Sequence, residues 1–128
     1  MFKVHNPSSV HAPSSTYVHG IEIPPNARLL YIAGQTGVGP DGKLRDGITA
    51  QSEQVWQNIQ AILADAGMGM ENLVKITTFL TDATNANAFR AVRAKALGTA
   101  RPTATFLIVQ GLADPGYLVE VEAVAAKI

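Results

Sequence analysis

The fold class that the sequence predicts is α+β: two layers, with two helices collected on one face of a mixed β-sheet. Three observations predict it. Six short runs of β-branched and apolar residues are bounded by glycine and proline, two longer stretches repeat their apolar residues at helical spacing, and the elements run strand, strand, strand, helix, strand, helix, strand, strand. With 128 residues the chain is long enough for one hydrophobic core and too short to divide into two, so residues 1–128 are read as a single domain.

A short strand is expected at Phe2 to His5. Asn6 to Ser15, with two prolines and four serines, is too polar and broken for a regular element. Thr16 to Ile23 is the next strand candidate, and Leu29 to Gln35 (LLYIAGQ) reads as a buried strand; the intervening Pro24-Pro25-Asn26 suggests that the two form a hairpin. Gly34, Gly37, Gly39 and Gly42 follow closely, but neither a dinucleotide fingerprint nor a P-loop lysine accompanies them, and Pro40-Asp41-Gly42 is ordinary turn chemistry.

The clearest helix is Ile48 to Ala66. Ile48, Val55, Ile59, Ile62, Leu63 and Ala66 form its apolar stripe, against Gln51, Gln54, Gln57, Gln60 and Asp65 on the other side. Asp46 or Thr49 can cap its start and Gly67 its end, and Trp56 is expected to anchor helix to sheet. Val74 to Thr81 alternates as a half-buried strand. Asn85 to Leu97 is a second helix with Phe89, Val92 and Ala96 inward, ended by Gly98 and Pro102; Arg90 and Arg93 stand one turn apart on it.

Two strands close the chain, Thr103 to Val109 and Tyr117 to Ala125, with a turn at Ala113-Asp114-Pro115-Gly116 between them, where glycine can take a positive φ. Side chains alternate along a strand, so Glu120 and Glu122 share one face, roughly 6.6 Å apart, and Val119, Val121 and Ala123 the other. A carboxylate pair of this kind is either a solvated face or includes one acid that lines a cleft. The helix-free face of the sheet still carries leucine, valine and phenylalanine with nothing to cover it, which favours self-association.

Ten basic and ten acidic side chains give a net charge of zero, so no global field draws in nucleic acid or an anionic membrane. The chain has no cysteine, which excludes disulfides, thiolate ligands and a cysteine nucleophile. No apolar stretch approaches the roughly 20 residues that span a bilayer, and a soluble, cytoplasmic protein is expected. Three dispersed histidines show no metal-ligand spacing, so no metal is assigned.

Tyr17 in TYVHG, the YIAGQTGV strand, the long helix followed by NLVKITTFLTD, Pro102 opening PTAT, and the closing LVEVEAVA together resemble the reactive-intermediate deaminases, the Rid or YjgF family, also known as the L-PSP endoribonuclease family. The likeness runs over nearly the whole chain. It implies a chorismate-mutase-like fold and a homotrimer with clefts between subunits. It also implies hydrolysis of imines and enamines derived from amino acids, with no metal or organic cofactor. Such chemistry needs a held substrate, one oriented water and a proton shuttle.

By that resemblance Glu120 positions or activates the water and Tyr17 hydrogen-bonds substrate or water, these two forming the catalytic set. Gly34 brings backbone close to the ligand, and the backbone around Thr105 and Phe106 completes the cradle. Two departures stand out. Ala104 occupies the place of an arginine that pairs with the substrate carboxylate in deaminating members, and Ala33 stands where serine is frequent, so the pattern is that of a divergent subgroup. Arg90, near the position of a cleft asparagine, is the candidate to restore the lost charge, with Arg93 and Arg101 behind it. The leading expectation is a small-molecule hydrolase; the alternative is a family member that binds a metabolite without turning it over. RNA cleavage, the family's older label, ranks below both, because there is no basic surplus and His5, His11 and His19 all lie in the first fifth of the chain.

Overall fold

The computed structural model describes residues 2–128. Its strands are β1 (Lys3–His5), β2 (Gly20–Glu22), β3 (Arg28–Thr36), β4 (Leu73–Leu80), β5 (Thr103–Ile108) and β6 (Val119–Lys127); its helices are α1 (Gly47–Asp65) and α2 (Ala86–Leu97). β3, β6, β4 and β5 form one sheet in that order, antiparallel except for the β4–β5 pair. A parallel neighbour requires a crossover, and α2 supplies it.

Both helices lie on one face. Val119, Val121, Ala123 and Ala125 of β6 and Leu73, Ile76, Thr78 and Leu80 of β4 are buried beneath Val55, Ile59 and Leu63 of α1 and Phe89 and Leu97 of α2. Full burial of a leucine or isoleucine is worth about 1.5–3 kcal/mol, so this layer is what fixes the helices to the sheet. Trp56 bridges differently from the expected helix-to-sheet anchor. Its ring meets Phe89 of α2 at 6.3 Å, and Phe89 in turn meets Phe106 of β5 at 5.7 Å, so an aromatic column ties both helices to the sheet edge.

Three local expectations need correction. β2 pairs with β1 in a separate two-stranded ribbon and makes no hairpin with β3. Two successive prolines remove two backbone donors, and the Ala27 N–H closes back on the Pro24 carbonyl at 3.2 Å, turning the chain away. Gly116 has no positive φ; its N–H instead donates to the Asp114 carboxylate at 2.8 Å, while Gly67 does take φ +71° beyond the end of α1. Asp46 stands at the start of α1 without a side-chain capping bond.

The polar side of α1 also departs from the simple amphipathic picture. Gln51, Ser52 and Gln54 are buried. Gln51 donates to the carbonyls of Arg45 and Gly116, each at 3.1 Å, and accepts from the Leu118 N–H at 2.9 Å, joining α1 to the start of β6. Asn58 donates to the carbonyls of Thr36 and Val38 and so holds the loop after β3. The glycine-rich stretch is a tight turn, with Gly42 at φ +79° and Asp41 paired to Arg45 at 3.2 Å.

Candidate functional site

Along β5, register with β4 places Ala104 and Phe106 on the helix side of the sheet and Thr105 and Leu107 on the open side. Beside Ala104 the sheet edge is overhung by α2 and by the N-terminal segment. That segment is irregular yet held: the Val18 N–H donates to the Pro102 carbonyl at 3.1 Å, and the His19 N–H to the Asn6 side chain at 2.8 Å. Between these elements lies a cavity of about 230 Å³. Ser14, Ser15 and Tyr17 line it from the segment, Arg90 and Arg93 from α2, and Ala104 and Phe106 from β5.

Arg90 and Arg93 reach one place because residues three apart share a helix face. Arg90 is exposed, and its guanidinium carbon sits 4.6 Å from the centre of the Phe106 ring, a cation–π contact that fixes its direction. Arg93 is only 5% exposed. Its Nη2 donates to Ser15 Oγ at 3.0 Å, while its buried Nε has no hydrogen-bond partner among the described residues. Burial pushes the Arg93 guanidinium below the usual arginine value, and the Arg90 charge adds to the effect. No ion pair of either arginine occurs among the described residues.

Glu120 belongs to the other side. It pairs with Thr36 of β3 and Phe79 of β4 on the helix-free face, half-buried, while Glu122 two residues on is exposed. β3 is irregular between Ile32 and Gln35, and there Gly34 passes under the Glu120 side chain. A Cβ on Gly34 would collide with the Glu120 carboxylate, so glycine at this point is a condition of the acid's position. The carboxylate therefore lies along bare backbone, free to accept from a water or a ligand.

The predicted site residues thus fall into two groups. Tyr17, Arg90, Ala104 and Phe106 come together. Glu120 and Gly34 come together too, but on the opposite face of the sheet, and β4 separates β6 from β5 by about 10 Å. Thr105 lies on the open face, where its hydroxyl accepts from Lys75 Nζ at 2.6 Å, apart from the cavity. Arg101 turns to the end of α2 and donates to the carbonyls of Gly98 and Ala100. Arg93, second to Arg90 on sequence grounds, is the more deeply buried of the two, and Ser14 and Ser15 join the lining with no distinguishing pattern in the sequence. Their signal, two hydroxyls beside Tyr17, is weak in a serine-rich segment.

A wider groove of about 400 Å³ runs between the helices, lined by Glu53, Trp56, Gln57, Val92 and Lys95 among others, but it gathers no cationic pair and no backbone-cradled acid. Among the described residues no group of three His, Asp or Glu is placed to hold a metal ion, and no helix is long and apolar enough to cross a membrane.

Comparison with known proteins agrees with this geometry. A family model described as Endoribonuclease L-PSP matches residues 8–127. Protein HMF1 of Saccharomyces cerevisiae is 33% identical over 120 residues, covering 93% of this chain and 90% of its own. A crystal structure of a Rid-family protein of unknown function, YyfB from Yersinia pestis, superposes with a TM-score of 0.85 at 32% identity over 98% of both chains. RidA from the Antarctic bacterium Psychrobacter sp. gives a TM-score of 0.73 at 32% identity, over 89% of this chain and 90% of its own.

Proposed function

The chain belongs to the L-PSP endoribonuclease or Rid family, and from that premise we propose that it hydrolyses small imines or enamines derived from amino acids, in a cleft completed by a second copy of itself. The observation that carries the reading is the Glu120 carboxylate, laid against the Gly34 backbone on a sheet face that no helix covers. Tyr17, Arg90, Ala104 and Phe106 line a cavity at the edge of that same sheet. One chain keeps the acid and the cavity on opposite faces, so a joint site needs the acid of one copy beside the cavity of another. A homotrimer with three such seams is the assembly proposed.

In this reading the cavity holds a protonated imine with its carbon toward the neighbouring Glu120. Water attacks that carbon, gives one proton to the Glu120 carboxylate, and the C=N electron pair withdraws onto nitrogen. Glu120 returns the proton to nitrogen. The carbinolamine then loses its hydroxyl proton to Glu120 as the C–N bond breaks, giving a carbonyl compound and ammonia. The Tyr17 hydroxyl holds the water or the substrate nitrogen in line.

The test is ammonia release from a panel of freshly generated amino-acid imines. Wild type is expected to release it and Glu120→Gln to lose at least a hundredfold, in the range that general-base removal costs. No release from any imine would sink the hydrolytic reading. The second reading, a binding protein without turnover, is favoured by one residue: Ala104 offers no donor to a carboxylate. Its signature is saturable ligand binding with no ammonia, and Glu120→Gln changing affinity alone. Assay of Ala104→Arg beside wild type separates a scaffold that has lost carboxylate capture from one that never hydrolysed.

A further inference from the structure

The cavity beside β5 contains a charge pattern that is unfavourable in the free protein. Arg93, a residue only 5% exposed, has one neutral partner, Ser15 Oγ, and a buried Nε with no hydrogen-bond partner among the described residues. Burying a charge costs several kcal/mol unless a counter-charge and further hydrogen bonds offset it. Here the nearest charge is of the same sign. Arg90 lines the same cavity, and among its lining residues there is no aspartate or glutamate.

Taking this cavity as the substrate site of the reading above, we propose that Arg90 and Arg93 together bind the oxyanion group of a small metabolite, a carboxylate or a phosphate. Two guanidinium groups offer forked N–H donors that match such a group, and the stack on Phe106 holds Arg90 in direction before any ligand arrives. The orphan Arg93 Nε gains a partner. Ser15 Oγ already accepts from Arg93, which leaves its own O–H to donate to the anion. Ala104, a single methyl group, leaves the space open. The cavity of about 230 Å³ lies below the roughly 300–1,000 Å³ of pockets that hold drug-sized molecules, which suits a small ligand.

The experiment is calorimetric titration and thermal unfolding with pyruvate, inorganic phosphate and a neutral amide as control, on wild type, Arg93→Met and Arg90→Met. Wild type is expected to bind at least one of the two oxyanions saturably, to ignore the amide, and to melt higher with the anion present. The anion that binds identifies the head group. Arg93→Met is expected to lose at least tenfold in affinity and to melt no lower than wild type in the absence of anion, because an unpaired buried charge has been removed. Arg90→Met changes an exposed side chain, so it keeps the test readable should Arg93→Met fail to fold; it is expected to lose at least severalfold.

Failure of both oxyanions to bind wild type overturns the proposal, and so does binding that neither substitution weakens. Arg93→Met melting lower than wild type with anion binding intact would make Arg93 a strut for Ser15, and overturns it as well. Neither probe is turned over, so the outcome is separate from the ammonia assay. Ammonia release untouched by both substitutions would remove the arginine pair and leave hydrolysis standing. Anion binding without ammonia release would do the reverse.

Discussion

Gly34 and Glu120 work as one unit, since the missing side chain of the first is the room that the second occupies. Gly34→Ala has no backbone strain to meet, for Gly34 is not among the positive-φ glycines. Its added methyl would press on the end of a flexible side chain, which can swing away. The fold is therefore expected to survive, with a melting temperature close to wild type, while the displaced carboxylate costs on the order of tenfold to a hundredfold in ammonia release, as misplacement by about 1 Å does. Wild-type rates from a well-folded Gly34→Ala would show that the acid's position is immaterial. Glu120 itself was legible in the sequence because the strand period of two puts it opposite buried valines. The burial of Arg93 was not. It depends on Ser15, 78 positions earlier, folding back over α2, and no local pattern encodes that contact.

At the scale of elements, α1 shows why polar spacing can mislead. Glutamines at positions 51, 54, 57 and 60 recur every three residues and read as a solvent-facing stripe, yet Gln51 and Gln54 are buried while Gln57 and Gln60 are exposed. The loops after β3 and before β6 close over the first turns of the helix and need their backbone groups satisfied, and an amide side chain is suited to satisfy both donors and acceptors. Gln51→Leu would leave the Leu118 N–H and the Arg45 and Gly116 carbonyls without this partner. A loss of about 2–4 kcal/mol in unfolding free energy is expected, since each orphaned buried group costs about 1–3 kcal/mol. Denaturant unfolding measures it, and a loss under about 0.5 kcal/mol would mean that water replaces the amide without penalty. The strands and helices themselves were legible wherever the period was clean, as in Val74 to Thr81. The pairing of β2 was not, because a three-residue strand carries no record of whether its partner lies before or after it.

The whole molecule presents a sheet with one face under helices and the other bare. On the bare face Tyr31 is 75% exposed and Leu29 51%, with Leu107 toward the other edge and Lys75, Thr77 and Glu122 between. An isolated exposed leucine needs no explanation, but a tyrosine and a leucine on adjoining rungs of β3, on the same face as Glu120, form the kind of surface that another subunit covers. Closed symmetry then repeats the same contact in every copy. Sedimentation is expected to give a species of about 40 kDa, three copies of the 13.5 kDa chain. Tyr31→Glu places a charge on that face without touching the core beneath the helices, so it is expected to yield a folded 13.5 kDa monomer. It should also lose ammonia release although Glu120, Tyr17 and both arginines remain, because no single chain brings the acid to the cavity. A Tyr31→Glu monomer that retained wild-type activity would show that one chain suffices, and the division of the site between two sheet faces would then have to be bridged within the protomer.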